Sequence, residues 1–413
     1  MKVLLMSIGS RGDCEPFLGV AEMLRSKGET VICAFPEQYR SLACESGFEF
    51  HSLGADFLKL LDGYVGRAAM SAGVGVKKIR ALIKLTKQSL PIQKELIALQ
   101  RDIVETTSPD MIVFHPKAVY PVPWSLSTGK KAALLIPVPY VLHRVNDVPH
   151  IGIGGKIPIG LSYALAQMGN VQSVMSAVKL CYNGKFTQKR IKEAILSAPC
   201  FYTVSPQLFR RPEYWGSNIM VAGFWERDKT LRWTPPPELS RFVDSHKKIM
   251  FVTFGSMTNL DPAGITKTLL DAVETLGVSA IFNISGGGLE APERYDREKV
   301  LFTSSVPYDW VFPKVYAVVC HGGAGTVHTA LKYGCAVTVL PHVGDQMMWA
   351  DLLVKKGAGP KGVQVSKLNR QNAGGIISEL MDNASFKNNA LAIGAKMREE
   401  NYQDELYNFL MEE

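Results

Sequence analysis

Residues 315–334 read VYAVVCHGGAGTVHTALKYG: an unbroken apolar run, then glycines, then apolar residues at helical spacing. That order is strand, tight turn, helix. Glycines let the backbone turn sharply and approach a ligand closely, and the unpaired N–H groups of the helix's first turn then face an anion with the helix dipole behind them. Thr326 adds a hydroxyl donor and His321 a ring N–H. The stretch therefore predicts a phosphate site. The alternative is that Gly322, Gly323 and Gly325 do no more than make a tight strand-to-helix turn. Spacing excludes two other phosphate motifs, since no G-x-x-x-x-G-K-[ST] occurs and no G-x-G-x-x-G follows the first strand of either half.

Downstream, the apolar run 336–340 ends in PHVGDQMMWADLL, so Asp345 and Gln346 fall in the loop at the carboxyl end of a strand, where ligands of parallel sheets bind. A carboxylate beside an amide accepts and donates hydrogen bonds to vicinal hydroxyls, as a hexose requires. The competing role for Asp345 is to cap the helix after it. Upstream, 249–254 is a strand, 262–276 a helix and 278–284 a strand. This half alternates β and α.

The opening of the chain has the same rhythm. Residues 3–8 are apolar but for Ser7, as in a strand covered on both faces. GSRGD is a loop; Phe17, Val20, Ala21 and Leu24 then recur at helical spacing until Gly28, and 30–35 is a strand. Further strands are expected at 111–114, 132–136 and 201–204, with a long helical and loop region from about 56 to 100. WTPPPEL (233–239) marks an interdomain linker, because consecutive prolines neither continue a helix nor sit in a central strand. The fold class is α/β, two doubly wound Rossmann-like domains. The expected divisions are an N-terminal domain at 1–225, a Pro-rich linker at 226–245, a C-terminal domain at 246–395, and a C-terminal helix at 396–413 packing back on the N-terminal domain.

Bulk numbers agree. At 413 residues the chain exceeds one ordinary core, and 46% apolar with 20% charged residues is the composition of a folded protein. A net charge of +8 is compatible with nucleic acid, an anionic membrane surface or anionic small substrates, but no basic and aromatic residues interleave as an RNA-binding sheet needs, so nucleic acid is not an expected partner. Seven scattered cysteines without a C-x-x-C fit reduced thiols in a cytoplasmic protein. The first apolar run is too short for a signal peptide, and no stretch approaches the ~18 apolar residues of a membrane span. The segment 77–94 sets Lys77, Lys78, Arg80, Lys84, Lys87 and Lys94 against Ile79, Leu82, Ile83, Leu85 and Leu90. It reads as a basic amphipathic helix: either a solvated face over a buried stripe, or a peripheral contact with an anionic membrane.

HGGAGT, then P-x-x-x-DQ about twenty residues on, preceded by VPYDWVFPKVYAVV, resembles the donor-binding signature of the UDP-glycosyltransferase superfamily, which has the GT-B fold. GSRGD near the N-terminus resembles the branch containing sterol glucosyltransferases and glycopeptide-antibiotic glycosyltransferases. The resemblance spans essentially the whole chain. One departure is Cys320, where the family usually shows a first histidine; His321 keeps the position that contacts the diphosphate.

The resemblance implies that His321, Gly322, Gly323, Gly325 and Thr326 hold the diphosphate and that Asp345 and Gln346 hold the sugar hydroxyls. Gly255 and Ser256 of FGSM lie near the ribose and phosphates, and Val306 and Trp310 frame the base. Ser10, Arg11 and Gly12 face the diphosphate, with Arg11 offering charge to the leaving group, and Asp13 is the general base that deprotonates the acceptor. Independently of the family, a carboxylate in a loop at the end of the first strand has the placement a base needs; its other possible role is to cap the following helix.

The implied reaction is direct displacement of a nucleoside diphosphate with inversion, the departing charge being met by preorganised donors. No cofactor beyond the nucleotide sugar and no metal is expected, and no D-x-D occurs. In relatives the Asp-Gln pair accompanies glucose, which makes UDP-glucose the expected donor, with dTDP-sugars left open. Tyr120, Trp124, Tyr140, Tyr163, Met168 and Met175 point to an apolar hydroxyl-bearing acceptor, such as a lipid, sterol or polyketide, or else to core packing. Eukaryotic members of the sterol branch carry further N-terminal membrane-binding domains, whereas residue 1 here opens the expected catalytic core. The rival readings are a GT-B sugar-nucleotide epimerase and a non-catalytic regulator that binds nucleotide sugar. In a regulator Asp13, Asp345 and Gln346 would be expected to degrade, and all three are present.

Overall fold

A computed structural model describes residues 1–62, 76–146, 148, 150, 157–227 and 233–412, without the side chains of 61–62, 76–83 and 85–87. In the first of two units the elements run β1 (Lys2–Met6), α1 (Arg11–Ser26), β2 (Thr30–Phe35), α2 (Arg40–Glu45), β3 (Glu49–Ser52), α3 (Asp56–Asp62) and α4 (Val76–Thr107). They continue with β4 (Met111–Phe114), α5 (Pro121–Thr128), β5 (Lys131–Ile136), α6 (Ile159–Cys181), α7 (Gln188–Ser197), β6 (Cys200–Tyr202) and β7 (Ile219–Val221). The seven strands are all parallel, in the order β3-β2-β1-β4-β5-β6-β7.

In the second unit follow α8 (Pro237–Ser245), β8 (Ile249–Thr253), α9 (Pro262–Leu276), β9 (Ser279–Asn283), β10 (Val300–Thr303), α10 (Tyr308–Val311), β11 (Ala317–Cys320), α11 (Ala324–Lys332), β12 (Ala336–Val339), α12 (Asp345–Lys355), α13 (Arg370–Asp382) and α14 (Ala384–Arg398). Its five strands are parallel in the order β10-β9-β8-β11-β12. The chain then returns: α15 (Gln403–Met411) belongs to the first unit, where Leu406 and Leu410 join the core built on Val3, Leu5, Phe17 and Leu24.

Central strands such as IMFVT in β8 and AVVC in β11 are buried at every position because helices cover both faces, which is why they read as unbroken apolar runs. Each sheet reverses its winding once. β1 pairs with β4 from Val3↔Met111 to Met6↔Phe114, and β8 pairs with β11 from Met250↔Ala317 to Thr253↔Cys320. At such a reversal the loops leaving two adjacent strands run to opposite faces of the sheet and leave a crevice between them. Both groups of site residues lie at these points.

The structure departs from expectation at the edges and boundaries. β3, β7 and β10 are outer strands of three or four residues; β3 (EFHS) has no apolar run, and IMV in β7 and VLFT in β10 are too short to mark a strand by themselves. Half of the span expected as linker is α8: Pro237 sits at its first turn, where the missing N–H costs nothing, and the helix buries Leu239, Phe242 and Val243. The span 396–413 is not one helix, since α14 ends at Arg398 and α15 starts at Gln403. The basic segment 77–94 lies in α4, but most of its side chains fall outside the described residues; Lys84 and Lys94 are exposed. Among the described residues no helix is long and apolar enough to cross a membrane.

Candidate functional site

In the second unit the crevice is formed by the loops after β8 and β11. His321 is buried between two backbones: a Cβ at Gly323 would stand 2.4 Å from its Nε2, and one at Gly255 2.9 Å from its Cε1. Neither position has room for a side chain while the ring stays in place. Gly322, at φ +92°, lies against the next element, where a Cβ would meet Val339 at 2.6 Å and Gln346 at 3.1 Å. Gly323 precedes the first residue of α11 and offers no side-chain cap, so the free N–H groups of that turn have no protein acceptor built for them. Thr326 is buried in the same turn and Gly325 has open space around it.

Several buried polar atoms collect here. His321 Nδ1, His342 Nε2 and Asn283 Oδ1 have no hydrogen-bond partner among the described residues. Burial, then the neighbouring His342, lowers the His321 pKa to about 3, against a backbone contact to Thr253 that raises it; burial takes His342 to about 4. Both rings are thus neutral at physiological pH. Native proteins seldom leave buried polar groups unmatched; a polyanionic ligand supplies acceptors for the His321 ring and the backbone N–H groups, whereas Asn283 Oδ1, and His342 Nε2 with the ring proton on the Nδ1 that meets the Leu340 carbonyl at 3.0 Å, call for donors such as hydroxyls. Among the described residues no group of three His, Cys, Asp or Glu converges as a metal site.

Gln346 is buried, and its Oε1 accepts from the N–H groups of His342 at 2.7 Å and Val343 at 3.1 Å, holding the loop that precedes α12. Asp345 is the first residue of α12 and Gly344 occupies the cap position. Ser256 is exposed beside Gly255. Val306 is buried, and Trp310 stands 5.2 Å from Trp233 with Lys314 over its ring at 4.5 Å. The sequence reading missed Thr253, whose Oγ1 meets Tyr308 Oη at 2.9 Å and accepts from the Gly255 N–H and Asn283 Nδ2, both at 3.2 Å. It also missed Gly286, where a Cβ would stand 2.2 Å from the Gly255 carbonyl. The departure at Cys320 is wholly buried at the end of β11, where burial pushes the thiol up to about 12.

In the first unit the crevice holds Asp13 in the first turn of α1. Its Oδ2 accepts from the Ser10 N–H at 2.6 Å and Ser10 Oγ at 3.0 Å and pairs with Lys117 Nζ at 3.3 Å, while Oδ1 meets His115 Nε2 at 3.2 Å. His115 and Lys117 follow β4, and the β1–β4 pairing brings them to Asp13. The Lys117 backbone N–H donates to His115 Nδ1 at 3.2 Å, which leaves the ring proton on Nε2, aimed at the carboxylate. Burial, the largest influence, raises the Asp13 pKa, but the Lys117 ammonium, His115 and the Ser10 N–H together outweigh it and hold the carboxyl well below the usual range. Burial likewise lowers the His115 pKa although Asp13 pulls it up. A Cβ at Gly9, φ +142°, would stand 2.1 Å from Asp13 Oδ2, so this approach requires glycine.

Asp13 thus both ties down the start of α1 and presents a carboxylate with 17% of its side chain exposed. Arg11 is engaged with Glu15 at 2.8 Å, Glu15 in turn taking Arg227 at 3.1 Å; Gly12 and Ser10 are exposed. Histidine 115 was detectable by the logic used for Asp13, as HPK follows a strand at its carboxyl end. Of the residues expected to meet an acceptor, Tyr120, Trp124 and Tyr140 are core, whereas Met168 is exposed.

Over its whole length the chain is similar to crystal structures of glycosyltransferases. One is the kitacinnamycin glycotransferase, 15% identical with a TM-score of 0.71 over 100% of this chain and 99% of that one. Another is the spinosyn rhamnosyltransferase SpnG complexed with thymidine diphosphate, 14% identical with a TM-score of 0.69 over 100% of both. The likeness defines the class of fold, GT-B, with two Rossmann-like α/β domains. Residues 230–400 match the family described as UDP-glucoronosyl and UDP-glucosyl transferase, and 3–108 match the glycosyltransferase family 28 N-terminal domain. By these two matches the chain resembles the UDP-glycosyltransferase superfamily. Its relatives include a sterol 3-beta-glucosyltransferase of Arabidopsis thaliana, 28% identical over 97% of this chain, and one of Vanderwaltozyma polyspora, 23% identical over 96%. The chain spans 63% of the length of the first and 33% of the second.

Proposed function

We propose that the chain is an inverting glucosyltransferase that moves glucose from UDP-glucose to a hydroxyl of an apolar, sterol-like acceptor. The observation that carries this reading is the crevice of the second unit: a glycine-walled histidine whose buried Nδ1 has no partner among the described residues, beside a helix N-terminus without a side-chain cap. In this reading the diphosphate accepts hydrogen bonds from the N–H groups of the Gly322–Thr326 turn, the Thr326 hydroxyl and the His321 ring. Asp345 and the amide of Gln346 hold hexose hydroxyls, with Gln346 already oriented by the loop it closes.

Asp13 is the general base. Lys117 and His115 keep it ionised, so the proton-free form is present at neutral pH, and His115 fixes its rotamer. A strongly depressed pKa also makes a weak base, so we infer that acceptor binding loosens the exposed Lys117 ammonium as the proton moves. The acceptor oxygen attacks the anomeric carbon, its proton passes to Asp13, and the carbon–oxygen bond to the diphosphate breaks. Neutral preorganised dipoles stabilise the charge that leaves, and the reading calls for no metal and no other cofactor. The acceptor class follows the names of the relatives, which act on sterols, and an apolar acceptor fits them. Seven free thiols suit a reducing compartment, and we assign the cytoplasm.

The test is thermal-shift titration with UDP, UDP-glucose and dTDP, followed by turnover with a sterol acceptor and assignment of the product's anomeric configuration. UDP and UDP-glucose should raise the melting temperature with concentration, and the product should have the opposite configuration to the donor. No shift with any nucleotide, or a retained configuration, would reject the reading.

A further inference from the structure

Helix α6 has its polarity reversed. It buries Ser162 and Gln167, the latter donating to the Leu142 carbonyl at 2.6 Å, while Leu161, Leu165 and Met168 are 52%, 37% and 58% exposed. Spacings of four and three put those three on one stripe, with Val174 and Ala177 buried on the opposite side; Val171, the next step of that stripe, is where it turns inward. Residues 157–178 contain no Asp, Glu, Lys or Arg, so this outward face lacks the charges a solvated helix carries.

The charge on α6 and α7 is predominantly positive, with Glu193 the one acid in the two helices. Residues 157–192 contain five cations, Lys179, Lys185, Lys189, Arg190 and Lys192, and no acid; all five are exposed. Lys179 lies five turns beyond Leu161 on the same stripe. Among these cations one ion pair is described, Arg190 with Glu193 at 3.9 Å. Helix α4 packs against α6 and carries exposed Lys84 and Lys94 together with exposed Glu95, Asp102 and Glu105.

We propose that this face of α6 docks on an anionic lipid bilayer, with Leu161, Leu165 and Met168 entering the headgroup and acyl boundary and the cations of α6 and α7 meeting lipid phosphates. An apolar stripe supplies burial and a cationic surround supplies attraction, the pairing that holds interfacial helices on membranes. A second copy of the chain is disfavoured as the occupant, because it would bring two cationic rims together. The proposal is independent of the transfer reaction.

The test is cosedimentation of the full chain with vesicles of phosphatidylcholine alone and of phosphatidylcholine with phosphatidylserine. Wild type should bind the anionic vesicles at least tenfold better than the neutral ones and lose binding as salt is raised. Leu161→Asp/Leu165→Asp/Met168→Asp and, separately, Lys185→Glu/Lys189→Glu/Lys192→Glu should each lower the partition coefficient at least tenfold with melting temperature and UDP response unchanged. The second variant alters only exposed residues and decides the matter if the first fails to fold. No vesicle binding by wild type, equal binding to both vesicles, or wild-type binding by the charge-reversed variant overturns the proposal. So does a wild-type dimer in light scattering that the apolar variant converts to monomer.

Discussion

Asn at position 13 preserves the shape of the carboxylate and removes its charge and basicity. Asp13 accepts from Ser10, His115 and Lys117 within 2.6–3.3 Å, so the amide is held in the same place, with its NH₂ forced toward at least one donor. A positioned general base contributes about 10²–10⁴-fold, which at 1.36 kcal/mol per decade is roughly 3–5 kcal/mol of barrier. Turnover of Asp13→Asn with UDP-glucose and an apolar acceptor should fall by that factor in a single-turnover assay. UDP affinity by calorimetry should stay within about twofold, since the diphosphate site proposed above is the other unit's loop. Stability carries a second signature. The folded pKa of Asp13 lies below its unfolded value, so its contribution is present above the unfolded value of about 3.9 and is lost as pH falls through the folded one. The variant should therefore melt below wild type at neutral pH, with the gap closing in strong acid. Turnover within a few-fold of wild type, or equal losses of turnover and UDP affinity, would refute Asp13 as base.

Lys117→Met removes the ammonium 3.3 Å from Asp13 and should move the acid limb of the pH–rate profile up by roughly one to three pH units; an unmoved limb would show that Lys117 does not set the carboxylate's acidity. Gly323→Ala places a methyl 2.4 Å from His321 Nε2 and should weaken UDP at least tenfold in calorimetry, without the strain a positive φ would add. Because a bound diphosphate favours the imidazolium, UDP binding at mildly acidic pH should take up protons, seen as a dependence of the binding heat on buffer ionisation enthalpy that His321→Gln abolishes. Leu410→Ala empties part of the first unit's core from the far end of the chain and should cost about 2–5 kcal/mol in urea unfolding; a cost near zero would mean that α15 is not part of that core.

What was legible in the sequence is what local periodicity encodes. The runs at 30–35 and 111–114 and the helix at 262–276 match β2, β4 and α9 end to end, because strands covered on both faces are apolar at every position and a helix shows its buried stripe every third or fourth residue. The turn HGGAGT was legible as glycines set between a strand and a helix, but what they make room for, the His321 ring at Gly323 and Val339 and Gln346 at Gly322, was not. Edge strand β3 carries too little burial to leave a pattern and β7, at three residues, is too short to show one, and Pro237 looked like a break because a proline that stops a helix and one that starts it are the same residue. Only the tertiary structure placed His115 and Lys117 on Asp13, about a hundred residues upstream, because strand order decides which loops share a crevice. The neutral state of His321 and the strong acidity of Asp13 belong to that level too, since a side chain's charge responds to burial and to neighbours that the linear chain holds far apart.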